Sequence, residues 1–237
     1  MASNASSLHT VRRSMLLQRV PLFADFSAAE CTHIAALLRE QRYKKHAVIC
    51  HANDPGNALF LLTAGTVQMT VETADARELV LGLLYPGDFF GEMALIDHLP
   101  RSATVTTLEP SETLVLMQEA FVDLLQRTPA LARKFAETLS RRLRKACDLV
   151  RSLAFLDAHG KVARILFTLS NERGRDTPPG TLVEMRLTQH DVARLTGVTR
   201  ETAAHVLRDF QQAGYVRMTR GSIVVLEQAM LAQLAQV

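Results

Sequence analysis

The spacing of apolar positions changes several times along the chain, and each change marks a different kind of element. Residues 11–17 and 28–39 carry the three- and four-residue spacing of short amphipathic helices, the second with Ser27 placed to cap it. From 47 to 117 the pattern tightens into short β-rich runs at 58–62, 66–71, 78–84, 102–107 and 113–117. The turn-forming residues Asp54, Pro55 and Gly56, then Gly65, then Pro86 and Gly87, then Pro110 separate these runs. Many short strands at such intervals predict a small barrel or roll.

A short helix is expected at 119–126. Thr128 then offers an N-cap, and Pro129 takes the first helical position, where its missing N–H costs nothing. The helix that follows meets no Gly or Pro until Gly160, and the pattern carries it to about residue 156. Ala132, Ala136, Leu139, Leu143, Ala146, Val150 and Leu153 follow alternating steps of four and three, a heptad seam for two helices lying side by side. Arg133, Lys134, Arg141, Arg142, Arg144, Lys145 and Arg151 flank the seam, so a homodimer helix is expected, with packing inside a single chain as the alternative.

Beyond it, Val162, Ile165, Leu166 and Leu169 share one face of a helix over 159–170, and the polar stretch 171–181 reads as a loop. Thr188 and Asp191 form a capping-box pattern that opens a helix to Leu195 or Thr196. Gly197 supplies a tight turn and Thr199 caps a second helix over 200–213, with Val192, Leu195, Val198, Val206 and Leu207 packing the pair. That is a helix-turn-helix pattern. Two strands around Arg220 and Gly221 would make a wing, and a helix over 227–236 follows. The expected fold is α+β: an N-terminal arm and helix (1–21), a β-roll (22–118), a short helix and dimerisation helix (119–158) and a winged helix-turn-helix domain (159–237).

Charge sharpens this division. The chain has 237 residues and a net charge of only +3, but residues 22–118 hold six basic and twelve acidic side chains. The other segments are basic, with ten Lys/Arg against seven Asp/Glu in 159–237, which points to a polyanionic partner for that half. Cys31, Cys50 and Cys147 are few and far apart, so neither a disulfide framework nor a Cys-x-x-Cys metal site is suggested. No apolar run is long enough to span a bilayer, and residues 1–9 lack the apolar stretch of a secretory signal. A cytoplasmic protein with no membrane partner is expected.

Residues 89–105 carry the most pointed chemistry. Gly91 lets the backbone approach a ligand, and N–H groups at this turn and at a short helix from Glu92 favour an anion. Arg101 adds a planar cation suited to phosphate, and Ser102 adds a hydroxyl donor. Glu92 cannot bind phosphate but can accept from sugar hydroxyls, so a ligand with phosphate and ribose fits the set. The competing reading is a plain β-turn in which Arg101 and Glu92 pair with each other. Glu92, Asp97 and His98 could be drawn as an acid–base group, but no nucleophile or metal set accompanies them, so no catalytic residues and no enzyme are expected.

In the basic half, the first turn of the second helix of the motif is where base edges would be met. Arg200 could donate a bidentate pair to guanine, and Glu201 could accept from a cytosine amine. His205 lies one turn on, facing a base or a phosphate. Lys161, Arg208, Arg217 and Arg220 are better placed as contacts that position the protein on the duplex backbone, and Thr188, Gln189 and Thr199 are further candidates for contact with DNA. A winged helix used for protein contact is the alternative.

The whole run Gly-Glu-Met-Ala-Leu…Pro-Arg-Ser-Ala-Thr-Val resembles the phosphate-binding cassette of cyclic-nucleotide-binding domains. Together with the long helix, the string from Leu153 to Asp157 and the Thr-Arg-Glu-Thr run at 199–202, it resembles the Crp/Fnr family of bacterial transcription regulators over about residues 20–230. The resemblance implies an effector, cAMP or cGMP, with no covalent cofactor and no metal. Gly91 and Glu92 would lie on its ribose side, Arg101, Ser102 and the backbone near Ala103 on its cyclic phosphate, and Met93 is a further effector-binding residue. It also implies a homodimer through Leu139, Leu143, Ala146, Val150 and Leu153, a roughly palindromic double-stranded DNA site, and RNA polymerase as partner. Arg142 matches the family arginine that reaches the ribose-binding glutamate. In the branch regulated by cyclic AMP, adjacent Thr and Ser on the dimer helix meet the adenine; those places are Ala146 and Cys147 here. His205 likewise stands where that branch has arginine. Three alternatives remain open: cyclic di-GMP, another ligand or none on the same architecture; a regulatory subunit acting by protein contact; and haem held near His46, Cys50 and His51.

Overall fold

The computed structural model describes residues 2–72, 78–183, 187–219 and 222–236, with side chains from Thr10 onward. Its contacts divide the chain into two compact units, Met1–Val71 with Gly82–Arg142, and Glu72–Leu81 with Leu143–Val237.

The first unit opens with α1 (Ala2–Leu17), which starts well before the expected residue 11, a turn at Pro21–Phe23, and α2 (Ala28–Leu37). Ser27 caps α2 in a reciprocal box: its Oγ accepts from the Glu30 amide at 3.3 Å, and Glu30 accepts from the Ser27 amide at 2.8 Å. α2 stops short of the expected Arg39 because Arg39–Tyr43 is a strand, β1. There follow in chain order β2 (Val48–Cys50), β3 (Ala58–Ala64), β4 (Val67–Glu72), β5 (Glu78–Leu84), β6 (Phe89–Phe90), α3 (Glu92–Asp97), β7 (Thr104–Thr107), β8 (Ser111–Met117) and α4 (Gln118–Arg127), with residues 72–81, the tip of β4 and the first half of β5, counted in the second unit. They form two four-stranded sheets, ordered β1-β8-β3-β6 and β2-β7-β4-β5.

Neither β1 nor β6 shows apolar alternation long enough to declare a strand. β1 exists because its backbone pairs antiparallel with β8, Arg39 opposite Val115 through Tyr43 opposite Ser111. Arg39 and Arg42 stay outside, where Arg42 meets Glu112 at 2.9 Å, while Glu40 is half-buried. β3 explains why an unbroken apolar run can be a strand: both of its faces are covered. Leu59 and Leu61 pack with Leu22, Phe23, Ile34, Phe121 and Phe135 on the helical side, and Phe60 and Leu62 pack with Val67, Phe90 and Val105 between the sheets.

α5 (Pro129–Phe155) opens with the Thr128 carbonyl accepting from the Leu131 and Ala132 amides. Leu131 and Phe135, which lie off the expected seam, bury into the roll, with Phe135 stacked on Phe89 at 4.8 Å.

In the second unit, α6 (Ala158–Arg173) is capped by Asp157, whose carboxylate accepts from the Gly160 amide at 2.8 Å. The stretch expected as a loop is instead the end of α6 followed by a hairpin, β9 (Gly174–Thr177) and β10 (Gly180–Val183). β9 is polar because it is an exposed edge strand, and only its pairing with β10 distinguishes it from a loop. α7 (Gln189–Thr196), α8 (Arg200–Gln212), β11 (Val216–Thr219), β12 (Ser222–Val225) and α9 (Gln228–Leu234) complete the unit, with a sheet ordered β11-β12-β10-β9. α9 is shorter at both ends than the expected 227–236. The expected wing turn at Arg220 and Gly221 lies outside the described residues. Val162, Leu166, Val192, Val206, Leu207, Phe210 and Ile223 are buried here, while Leu195 and Val198 are half-buried.

Candidate functional site

β6 runs into Gly91, whose φ of +86° is open to glycine at little cost and which starts α3. The loop after α3 brings Arg101 back beneath this turn. Its guanidinium donates from Nη1 to the Gly91 carbonyl at 2.7 Å and from Nη2 to the Ala58 carbonyl at 2.9 Å. Its Cζ lies 5.5 Å from the centre of the Phe60 ring. The Arg101 backbone is clamped to the preceding turn, with the Asn53 amide donating to its carbonyl and its own amide donating to Asp54, both at 2.8 Å.

Arg101 is only 6% exposed, and among the described residues no carboxylate pairs with it. The competing expectation, an Arg101–Glu92 pair, is therefore corrected. Glu92 is itself buried and accepts from Arg142 Nη1 at 2.8 Å. Arg142 also donates to the Phe89 carbonyl, and its Cζ sits 4.3 Å over the Phe89 ring. The two arginines thus have separate tasks: Arg142 neutralises and orients Glu92, while Arg101 keeps a full charge among neutral carbonyls. A buried guanidinium in that state costs several kcal/mol, which an anion beside it offsets.

Ser102 is exposed with its hydroxyl 3.4 Å from the Met93 sulfur, and Ala103 is buried at the start of the next strand. Gly91, Glu92, Met93, Arg101, Ser102, Ala103 and Arg142 are thus gathered in the first unit. Ala146 and Cys147, one turn further along α5, are exposed. Burial pushes the Cys50 thiol up, and the Arg101 charge offsets this only partly. His46, Cys50 and His51 form no group of three metal-holding side chains among the described residues.

Sequence reasoning took Gly56 only as a turn residue and missed its second use. A Cβ there would stand 2.6 Å from the Ala94 Cβ and 2.7 Å from Arg101 Nε. The space beside the guanidinium exists because residue 56 has no side chain. Gly56→Ala is expected to displace α3 and Arg101 together, lowering ligand affinity about tenfold and stability by about 1–3 kcal/mol. Calorimetry and thermal melting of the variant check both. Phe60 and Phe89, the rings beneath the two arginines, were also missed, since nothing local links them to residues forty or more positions away.

In the second unit, Thr188 and Asp191 make the expected capping box, the Thr188 hydroxyl accepting from the Asp191 amide at 3.2 Å. Gly197 takes the left-handed turn at φ +69°, and the Thr199 hydroxyl accepts from the Thr202 amide at 3.1 Å to start α8. Ala203, Val206, Leu207 and Phe210 face the core, which leaves Arg200, Glu201, His205 and Arg208 on the exposed side. Gln189 and Lys161 are half-buried, and Arg217 is exposed on β11. Arg220 lies outside the described residues.

On α5, Leu139 packs partly against the roll, and Leu153 is half-buried. Leu143 and Val150, one heptad apart, are 66% and 64% exposed, Ala146 between them is exposed, and Phe155 is 78% exposed. Leu143, Ala146 and Val150 thus leave an open apolar row along α5. No helix among the described residues is long and apolar enough to cross a membrane.

Residues 40–128 match the family model of the cyclic nucleotide-binding domain, and residues 160–234 that of the Crp-like helix-turn-helix domain. The chain is 34% identical over 215 residues to the cyclic AMP receptor protein of Thermus thermophilus, covering 91% of this chain and 96% of that one. It is 31% identical over 200 residues to the cAMP-activated global transcriptional regulator Vfr of Pseudomonas aeruginosa, covering 81% and 93%. Among solved structures, the c-di-GMP responsive global regulator CLP of Xanthomonas campestris superposes with a TM-score of 0.76 at 30% identity, covering 84% of this chain and 99% of that one.

Proposed function

As a member of the Crp/Fnr family the chain is a DNA-binding transcription regulator under effector control, not an enzyme, and we propose that its effector is a cyclic nucleotide whose phosphate is taken by Arg101 and Ser102. The support is the buried Arg101 guanidinium, which is oriented by two carbonyls yet has no carboxylate partner among the described residues. On this reading Glu92, held by Arg142, accepts from the ribose hydroxyl, Gly91 and Met93 border the sugar, and the Ala103 amide assists at the phosphate. Ala146 and Cys147 approach the base.

Cyclic di-GMP is the second reading: neither Ala146 nor Cys147 carries the hydroxyl that would meet an adenine, and CLP, 30% identical to this chain, is a c-di-GMP responsive regulator. Calorimetry with cAMP, cGMP and cyclic di-GMP, with linear AMP as control, tests both. Saturable binding of one cyclic species is expected, and absence of binding by all three refutes an effector of this class.

The rest of the proposal is a cytoplasmic homodimer that packs through Leu139, Leu143, Ala146, Val150 and Leu153 and recruits RNA polymerase. It places two copies of α8 on half-sites of a roughly palindromic duplex, about 34 Å apart. Arg200, Glu201 and His205 read bases, Lys161, Arg208, Arg217 and Arg220 hold the backbone, and Thr188, Gln189 and Thr199 add further DNA contacts. The effector controls this by binding the DNA-competent state more tightly than the other.

A further inference from the structure

Asp209, on α8 one turn beyond His205, lies between two imidazoles. Its Oδ2 is 3.0 Å from His159 Nε2, in the first turn of α6, and 3.6 Å from His205 Nε2. The His159 ring also rests edge-on against the buried Phe210, with centroids 5.8 Å apart, so one side of the cluster is fixed to the core. The His205 side chain stays 66% exposed on the same face as Arg200 and Glu201.

Other charged groups on the elements packed against α8 are engaged elsewhere or make no ion pair with this cluster among the described residues. On α6, Asp157 caps its own helix and Arg164 is 3.9 Å from Asp148. On α7, Asp191 closes the capping box and Arg194 meets Glu78 at 2.6 Å. On α8 itself, Arg208 bonds the Ala204 carbonyl. Glu172, near the end of α6, meets Lys145 at 2.7 Å, and Lys161, Arg173, His190 and Arg217 complete the set.

A carboxylate on a helix face meant for phosphates is repulsive unless cations stand beside it. With both imidazoles neutral the trio carries one negative charge; with both protonated it carries one positive charge. Imidazole is the side chain whose ordinary charge change falls between pH 5 and 8. The 3.6 Å from Asp209 Oδ2 to His205 Nε2 is an ion-pair distance, longer than a hydrogen bond, and it leaves Nδ1 as the ring nitrogen on the far side from the carboxylate, open to a base. When the neutral ring carries its proton on Nε2, beside the carboxylate, Nδ1 is an acceptor, matched to the amines of adenine or cytosine. In the protonated ring it is a donor, matched to guanine O6/N7 or thymine O4.

We propose that Asp209 is a positioning residue that couples the proton state of His205 to the base α8 reads, so that operator preference and affinity change with pH. This rests on α8 being the base-reading helix, and the experiment separates the two.

The 237-residue chain, with cAMP, cGMP or cyclic di-GMP added in parallel selections, is used to select duplexes from a random pool at pH 6 and at pH 8, at equal ionic strength. One position in each half-site is expected to change from A or C at pH 8 to G or T at pH 6. Affinity for the pH 6 duplex, read by fluorescence anisotropy, should rise about fivefold or more from pH 8 to pH 6, with a salt slope steeper by about 1 to 2 as the added cations meet phosphates. His205→Gln should abolish the base change and most of the rise. His159→Gln should reduce the rise while keeping the base change. Asp209→Ala should erase the base change while its melting temperature and circular dichroism stay close to the parent. An identical consensus and flat affinity at both pH values overturns the proposal while leaving α8 as the reader. A parental pH profile in Asp209→Ala overturns the role of Asp209, and no enriched duplex at either pH overturns the reading of α8 along with it.

Discussion

Arg101→Ala is expected to lower affinity for the cyclic nucleotide by at least about 100-fold, roughly 3 kcal/mol, while salt-sensitive nonspecific DNA binding persists. The size follows from where the guanidinium sits. It is buried, already oriented by the Gly91 and Ala58 carbonyls, and flanked by Phe60, so little ordering remains to be done when a phosphate arrives. Its loss removes the charge that a buried phosphate requires, and no second cation among the described residues of the cassette can replace it, since Arg142 is committed to Glu92. Arg101→Lys should recover only part of the affinity, because an ammonium cannot serve two carbonyls and a phosphate in one plane. Stability should move less than affinity, because two lost hydrogen bonds are offset by relief of a buried charge. Calorimetry and melting curves on the same preparations separate the two effects. Unchanged nucleotide affinity in Arg101→Ala would remove the cassette from the protein's function.

Leu143→Glu combined with Val150→Glu is expected to leave a folded monomer with operator affinity reduced by about 1,000-fold or more. Both side chains are mostly exposed in the single chain, so the substitutions bury no charge in the monomer and should not unfold it. In a two-helix seam each glutamate would meet its own copy, placing like charges where apolar knobs are needed. A monomer then engages one half-site and forfeits the local concentration that a linked second reading helix provides. Sedimentation equilibrium on the parent and variant gives the mass directly, and anisotropy with a palindromic duplex gives the affinity. A parent that is monomeric at micromolar concentration, with and without DNA, would end the reading of α5 as a dimer helix.

The contrast between what could and could not be read beforehand is sharpest at the cassette. Gly91, Glu92, Arg101 and Ser102 stand out because a glycine turn, a carboxylate and a guanidinium within a dozen residues already imply an anion and a sugar. Their division of labour does not follow from the string. Arg101 and Glu92 are close in sequence and opposite in charge, which invites a pair, yet each is claimed from farther away. Glu92 goes to Arg142, fifty positions on, and Arg101 to the Ala58 carbonyl, forty-three positions back. The same holds for α5. Its open row at Leu143 and Val150 follows from period alone, but Leu131 and Phe135 reveal their burial only once the roll is beside them.

By itself the sequence determined whatever depends on neighbours a few residues apart or on a regular period. The capping boxes at Ser27 and Thr188, the Gly197 turn, the Thr199 cap, the apolar strands and the seam of α5 belong here, since hydrogen bonds across one helical turn and side-chain periodicity are written locally. Tertiary structure alone decided that the polar stretches Arg39–Tyr43 and Gly174–Thr177 become strands, that Gly56 clears space for Arg101, and that His159 arrives beside Asp209 as a second imidazole. Each of these is settled by which group arrives opposite, because edge-strand pairing, steric clearance and charge compensation depend on distance in space and not on distance along the chain.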